Sequence, residues 1–223
     1  MRALLLGATG LIGKETLAQL RGDTRFEKVI VLARRPGESD DQIEWRTSDF
    51  DAASTWQRLA SDGLDAVFCC LGTTMKQAGS KDAFRRVDYE YPMHAAEALS
   101  ARASRVRFAL VSSVGADAGS STFYLRTKGE LERDLAKLGF DGLEVFQPSL
   151  LLGARDGTRG AEAFASAVMR PLSVLMRGPL KKFHAIEGKT VASALIASVT
   201  RPAKAPVSVY LFDDISKLAG PSQ

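Results

Sequence analysis

The feature that most constrains this 223-residue chain is a run of three evenly spaced glycines near its first residue. Gly7, Gly10 and Gly13 follow the apolar stretch 2–6 and open an amphipathic stretch at 11–20. In a strand-turn-helix unit, such glycines permit the tight turn, the approach of a pyrophosphate and close packing of helix on strand. The pattern therefore predicts a dinucleotide site at the start of the first helix, where free N–H groups favour phosphate. The other residues expected there are Thr9, Leu11 and Ile12.

Apolar stretches of strand length alternate with helical patterns along most of the chain. The predicted strands are 2–6, 28–33, 43–47, 66–71, 106–112, 143–146 and 207–211. The predicted helices are 11–20, 54–60, 92–102, 123–138, 161–176 and 189–199. Strands that are apolar on both faces and separated by helices are typical of a covered parallel sheet. We expect an α/β fold with a doubly wound parallel (Rossmann) sheet in one domain, 1–223, in which 149–223 contributes a small C-terminal cap on the substrate side.

Charge and cysteine content narrow the class of protein. The chain has 30 Lys and Arg residues and 26 Asp and Glu residues, and its net charge of +4 suits a small anionic ligand. Its paired basic residues have no aromatic residues between them, so nucleic-acid binding is not expected. No apolar run approaches the roughly 18 residues of a membrane span. The first strand leaves no room for a signal peptide, and the adjacent Cys69 and Cys70 fit a reducing compartment, so we expect a cytoplasmic protein. His94 and His184 lack partners at zinc-site spacing, so no metal is expected.

The end of the second strand indicates which dinucleotide binds. An NAD site usually places an acid there, whereas this strand ends in Arg34 and Arg35, and the nearest acid is Glu38. Two guanidinium groups suit a 2′-phosphate, so NADP(H) is predicted; ordinary surface arginines are the alternative. Asp49 and Phe50 follow the third strand and are predicted to flank the adenine ring. For Phe50, a position in the hydrophobic core is the alternative. After the fourth strand, Gly72 would let the ribose of the coenzyme lie close to the backbone, and Thr73 next to it is predicted to belong to the same site.

A tyrosine and a lysine one helical turn apart supply the second chemical signal. Tyr124 and Lys128 share a helix face, and an ammonium beside a phenol favours the phenolate. Ser112 and Ser113 end the fifth strand at the same edge of the sheet, where a hydroxyl can hold a substrate carbonyl oxygen. These four residues are the predicted catalytic groups; which serine acts is left open.

Several linked motifs resemble the short-chain dehydrogenase/reductase superfamily in its atypical or extended branch. GATGLIG, the SS pair and YLRTK match its signatures, and CCLGTT, FRRVDYEY, SSVGAD and YLRTKGELE are similar to the oxidoreductase subgroup named for the HIV Tat-interacting protein. The resemblance implies an NADPH-binding Rossmann fold, Tyr124 as proton donor and Lys128 on the nicotinamide ribose. It also implies coenzyme contacts for Arg34, Arg35, Leu71 and Gly72, and for Leu151 and Arg159 in the segment after Pro148. Asp88 stands where superfamily enzymes often have an asparagine that holds a relay water.

These features favour an NADP-dependent oxidoreductase acting on a small carbonyl or alcohol. An NADPH-binding regulatory or scaffold protein with a protein partner is the alternative, since the resembling subgroup is known for such partnerships. A dehydratase or epimerase ranks last, because the short segment after Pro148 leaves little room for a nucleotide-sugar.

Overall fold

The computed structural model describes residues 1–152 and 184–220, in which a parallel sheet carries helices on both faces. Its strands are β1 (Arg2–Leu6), β2 (Lys28–Ala33), β3 (Ile43–Thr47), β4 (Ala66–Cys69), β5 (Arg107–Val111), β6 (Gly142–Phe146), β7 (Leu151–Leu152), β8 (Ile186–Glu187) and β9 (Val207–Tyr210). Its helices are α1 (Leu11–Leu20), α2 (Ala53–Gln57), α3 (Met75–Ala78), α4 (Lys81–Arg85), α5 (Tyr91–Ala98), α6 (Phe123–Leu135), α7 (Gly188–Val199) and α8 (Phe212–Ala219).

Seven of the described strands form one sheet in the order β3-β2-β1-β4-β5-β6-β9, and every neighbouring pair is parallel. The order reverses between β1 and β4, whose last paired residues are Leu6 and Cys69. Ligands of doubly wound sheets bind beyond the carboxyl ends of the strands at such a reversal. The predicted fold class is confirmed, and the reversal lies at the end of the strand that enters the glycine turn.

The strands in the middle of the sheet are largely apolar on both faces, and each face packs against a helix layer. On one face the sheet meets α2, α5 and α6 through buried side chains that include Trp56, Leu99 and Leu131. On the other face it meets α1, α7 and α8 through side chains that include Leu20, Leu195 and Ile215. Each fully buried side chain of this size contributes about 1.5–3 kcal/mol of transfer free energy, so both layers stabilise the sheet.

Several element boundaries differ from the sequence prediction for local reasons. β4 ends at Cys69 instead of residue 71, because the backbone of Gly7 passes the next residue: a Cβ on Gly7 would lie 2.5 Å from the Cys70 carbonyl oxygen. The predicted helix 92–102 is α5 followed by a 3₁₀ segment, Ser100–Arg105. The short helices α3 and α4 escape prediction because four or five residues are too few to show a period. The predicted helix 161–176 lies outside the described residues.

The last described residues complete the sheet and one helix layer. α7 packs against α1 and α8, and β9 pairs with β6. β7 and β8 form a separate two-stranded parallel pair. Two assignments stay predictions: that 149–223 lies on the substrate side, and that 1–223 forms a single domain.

Candidate functional site

Two of the three glycines are required by the packing of the chain itself. Gly7 adopts a φ of +82°, which L side chains rarely adopt, and lies against the Cys70 carbonyl. A Cβ on Gly13 would overlap the Gly7 carbonyl oxygen, so α1 approaches the turn more closely than any side chain allows. These contacts set the shape of the turn without any ligand.

Gly10 and Gly72 differ, because nothing inside the described chain requires glycine at either position. Gly10 has an ordinary φ of −81°, and a Cβ there would meet only the Gly7 carbonyl oxygen, at 3.4 Å. A Cβ on Gly72 would lie 3.6 Å from Asp88 Oδ1 and 3.8 Å from Lys128 Nζ, which are normal contact distances. Among the described residues, no side chain caps the N-terminus of α1. The turn therefore forms a cradle that fits a pyrophosphate at its first N–H groups, with space over Gly72 that a side chain would fill.

The other residues predicted for the turn divide by exposure. Thr9 is exposed, and Leu11 is half-buried against Gly188 at the start of α7. The Ile12 side chain belongs to the core on that face. Ile12 can therefore offer a ligand only its backbone N–H.

Arg34 and Arg35 directly follow β2 and are both exposed. Within residues 1–152 and 184–220 neither guanidinium makes a hydrogen bond or ion pair, and the Trp45 indole N–H donates to the Arg35 carbonyl at 2.9 Å. Asp49 is exposed, whereas Phe50 is only 3% exposed and packs edge-on against Trp56 and Tyr91. The Phe50 side chain therefore lies in the hydrophobic core, and little of its ring is exposed to contact an adenine.

Tyr124 and Lys128 begin the long helix α6 at the carboxyl edge of the sheet. Tyr124 is half-buried, with its ring centroid 5.5 Å from that of the buried Phe84. Lys128 is 4% exposed, and its Nζ lies 2.7 Å from Oδ1 of the fully buried Asp88. Burial by itself lowers the pKa of Lys128, but the charges of Asp88 and Tyr124 outweigh it and the net shift is upward. Lys128 is therefore a buried ammonium group at neutral pH.

Asp88 lies in a π-helical turn, Arg86–Glu90, between α4 and α5. Pro92, in the first turn of α5, has no N–H, and its ring would collide with the carbonyl four residues earlier, that of Asp88. An undistorted α-helix cannot pass this point, and the chain widens into the π-turn. The second oxygen of Asp88 accepts a hydrogen bond from the Thr73 backbone N–H at 2.8 Å.

The two predicted serines have different surroundings. Ser112 is buried, and its hydroxyl donates to the Glu132 carboxylate, which also accepts from Gln147 Nε2 at 3.0 Å. Burial raises the pKa of Glu132. Ser113 is half-buried and begins the loop that packs against α6, where a Cβ on Gly129 would overlap the backbone of Ala118. The Ser112 hydroxyl is thus hydrogen-bonded within the Ser112–Glu132–Gln147 network, whereas Ser113 is the more exposed of the two serines.

Sequence reasoning did not find Glu132, Gln147 or Phe84. Two signals were available: Glu132 lies one further turn along α6 from Lys128, and Gln147 directly follows the apolar strand β6. Phe84 gave no signal, because a buried aromatic side chain resembles any other core residue.

The remaining predicted residues are Leu71, Leu151, Arg159 and the two cysteines. Leu71 is half-buried beside Gly72, and Leu151 is half-buried in β7. Arg159 lies outside the described residues. Burial raises the pKa of the Cys69 thiol to about 11 and that of Cys70 to about 12, so both behave as small apolar groups. Within residues 1–152 and 184–220 no helix has the length and apolarity to cross a membrane, and no cluster of metal ligands is present.

Comparison with known proteins identifies the family. A profile of the NAD dependent epimerase/dehydratase family matches residues 3–129. Protein HTATIP2 from Rattus norvegicus is 39% identical over 165 residues, 72% of this chain and 67% of the relative. Protein FMP52, mitochondrial, from Candida albicans is 31% identical over 226 aligned residues, 98% of each chain.

Solved structures with low sequence identity show the same fold. UDP-glucose 4-epimerase from Thermotoga maritima, solved with UDP-glucose, has a TM-score of 0.70 at 14% identity, over 98% of this chain and 81% of the epimerase. MoeE5 in complex with UDP-glucuronic acid and NAD has a TM-score of 0.67 at 15% identity, over 94% of this chain and 75% of MoeE5.

The predicted cytoplasmic location is wrong, because several fungal relatives that cover most of this chain are named as mitochondrial proteins. Adjacent reduced cysteines fit any reducing compartment, so they could not single out the cytoplasm. The family assignment, in contrast, agrees with the predicted resemblance. The chain belongs to the NAD dependent epimerase/dehydratase family and is an HTATIP2-like member of the atypical short-chain dehydrogenase/reductase superfamily.

Proposed function

We propose that this protein is an NADP(H)-dependent oxidoreductase that interconverts a small carbonyl compound and its alcohol, with Tyr124 as the acid and base. Family membership supports an NAD(P)-binding protein of the oxidoreductase type. The observation that carries the finer proposal is the buried Lys128 ammonium beside the open space over Gly72, one helical turn from Tyr124. A coenzyme and a proton-transferring phenol would then share one edge of the sheet.

The cradle fits a phosphorylated dinucleotide. Gly10 and the uncapped first turn of α1 would hold the pyrophosphate, and Lys128 would bind the ribose next to the nicotinamide. Arg34 and Arg35 carry exposed guanidinium groups that can bind a 2′-phosphate through paired hydrogen bonds. They stand directly after β2, where an NAD site usually has an acid that holds the free 2′-hydroxyl. NADP(H) is therefore preferred over NAD(H).

The catalytic work of the chain is proton transfer and substrate orientation. When bound, the nicotinamide supplies or accepts the hydride. Tyr124 gives its proton to the carbonyl oxygen in reduction, and the Lys128 ammonium stabilises the phenolate that remains. Ser113 orients the carbonyl oxygen, since the Ser112 hydroxyl donates to Glu132.

One observation favours a second candidate, an NADP(H)-binding regulatory or scaffold protein with a protein partner. Asp88 compensates the charge of Lys128, which weakens the stabilisation of a phenolate at Tyr124. Coenzyme binding would then persist while turnover stays low.

The test begins with fluorescence titration of the full chain with NADPH and NADH, followed by turnover assays over aldehydes and ketones. We expect tighter binding of NADPH and a Tyr124→Phe variant that binds NADPH as the wild type does but turns over about 100- to 10,000-fold more slowly. Tyr210→Phe, which loses the phenol hydroxyl that donates to Glu144, is the matched control and should keep full turnover.

Each outcome separates the candidates. Unchanged turnover in Tyr124→Phe would remove Tyr124 from the mechanism. NADPH binding without turnover in the wild type would favour the regulatory protein, and absence of binding would reject both.

A further inference from the structure

The fully buried carboxylate of Asp88 joins two elements that border the coenzyme cradle. Its Oδ2 accepts the Thr73 N–H at 2.8 Å, and its Oδ1 lies 2.7 Å from Lys128 Nζ. Thr73 belongs to the loop after β4, and Lys128 belongs to α6. One side chain therefore fixes the distance between the loop over which the coenzyme would lie and the helix that carries Tyr124.

Asp88 is enclosed so completely that it can act on a ligand only through its partners. Its exposed fraction is 0%, whereas Lys128 retains 4%. A Cβ on Gly72 would come within 3.8 Å of Lys128 Nζ, so the ammonium borders the open space over Gly72. Asp88 Oδ1 would lie 3.6 Å from the same Cβ, but Asp88 has no exposed surface, so of the two charged groups the ammonium is the one that a ligand can contact.

Among the described residues, the other titratable groups around Lys128 do not replace this counterion. Cys69 is a neutral thiol at neutral pH, because burial raises its pKa to about 11. Tyr124 is the phenol of the proposed reaction. Glu132 has its carboxylate engaged by Ser112 and Gln147. A buried ammonium without a carboxylate partner is costly, and the flexible lysine stem would let it leave this position.

We propose that Asp88 is a positioning residue that holds the Lys128 ammonium at the space over Gly72, where it meets the ribose of the bound coenzyme. The inference rests on the proposed function for the identity of the ligand. It assigns to Asp88 a direct ion pair with Lys128 and no contact with substrate or coenzyme.

A double-mutant cycle on NADPH binding tests this role. In Asp88→Asn the amide oxygen can still accept the Thr73 N–H, so the loop keeps its bond while Lys128 loses its counterion. We expect the NADPH Kd to rise at least tenfold in Asp88→Asn and in Lys128→Met. Because Asp88 acts through Lys128, adding Asp88→Asn to Lys128→Met should change the Kd less than twofold. Multiplication of the two effects, or a wild-type Kd in Asp88→Asn, would overturn the proposal.

A control variant separates positioning from loss of a buried charge. Glu144→Gln breaks the Arg107–Glu144 ion pair, which is also buried, and should lower thermal stability without changing the NADPH Kd. If Asp88→Asn alone fails to fold, Lys128→Met and the double variant still test whether Asp88 acts independently of Lys128. Weaker binding by the double variant than by Lys128→Met would contradict the proposal.

A second readout does not depend on the coenzyme. Removal of the Asp88 charge lowers the pKa of Lys128 and loosens it, so acetic anhydride at pH 8 should acylate Lys128 at least tenfold faster in Asp88→Asn, as followed by mass spectrometry. Lys137, which pairs with Asp134 on the surface, should react equally in both proteins. An unchanged rate at Lys128 would contradict the role of Asp88 even if NADPH does not bind; absence of NADPH binding with faster labelling would contradict only the proposed ligand.

Discussion

Two buried ion pairs lie in different parts of this sheet and have different surroundings. Lys128–Asp88 lies at the carboxyl edge and borders the space over Gly72. Arg107–Glu144 joins β5 to β6. Among the described residues its other partners are the carbonyls of Ser198 and Arg201, the Asp141 carboxylate at 4.0 Å from Arg107 Nε, and the hydroxyl of Tyr210, which donates to Glu144 at 2.6 Å.

The comparison shows that burial of a charge pair does not by itself mark a functional site. Every named partner of Arg107–Glu144 belongs to the scaffold that fixes β9 and the end of α7 to the sheet. Lys128–Asp88 instead presents an ammonium to a space that the described side chains leave open. We therefore expect changes to Arg107–Glu144 to alter stability alone, and changes to Lys128–Asp88 to alter coenzyme binding as well.

The largest expected effect is on stability, in Arg107→Met. This change leaves the Glu144 carboxylate buried without its cation, which costs about 3–5 kcal/mol in the free energy of unfolding. Urea unfolding measures the loss, and the NADPH Kd of the folded variant should not change. Arg107→Met/Glu144→Gln should recover much of the loss, because no charge then remains unpaired. A weakened NADPH Kd in either variant would break the distinction between the two pairs.

A smaller effect, on binding alone, is expected for Gly72→Ala. The added methyl group lies at ordinary contact distance from Asp88 and Lys128, so the free energy of unfolding should stay within about 0.5 kcal/mol of wild type. It fills the space proposed for the coenzyme, so the NADPH Kd should rise about tenfold or more, close to 1.4 kcal/mol. Calorimetric titration and urea unfolding give the two values. Tight binding with lost stability would reverse our interpretation of this glycine.

The smallest expected effect is on the pH dependence of stability, through Tyr210, which donates to the Arg107–Glu144 pair. Burial, together with the hydrogen bond to Glu144, raises the pKa of Tyr210 to about 12, above its ordinary value of 10.0. Unfolded chains then lose the phenol proton before folded ones do, so the stability that this group contributes is complete below pH 10 and is lost between pH 10 and about 12. Tyr210→Phe should flatten this fall, as measured by urea unfolding at pH 9 and 11. Parallel curves for the two proteins would show that Tyr210 is not the group involved.

The sequence was sufficient to predict the sheet, because its strands are short apolar runs bounded by turns. The glycine turn could also be predicted from the sequence, because local backbone packing requires glycine at Gly7 and Gly13. The two-residue strands β7 and β8 could not be predicted, because pairs this short depend on where other elements place them.

The contacts within the candidate site were less predictable. The spacing of Tyr124 and Lys128 was enough to predict them, but the Asp88–Lys128 contact joins the π-turn Arg86–Glu90 to α6, two elements far apart in the chain. The network of Ser112, Glu132 and Gln147 joins β5, α6 and β6, three elements far apart in the chain. Spacing along one helix can be read from a sequence, whereas a meeting of three separate elements cannot.

The rigid turn at Gly7 and Gly13 has a consequence for binding thermodynamics. Because the sheet itself fixes this backbone, the conformational entropy of ordering the turn is lost when the chain folds and not when the coenzyme arrives. A turn that is already ordered loses little further conformational entropy when it binds a ligand. Occupancy should therefore raise the melting temperature by simple mass action with coenzyme concentration.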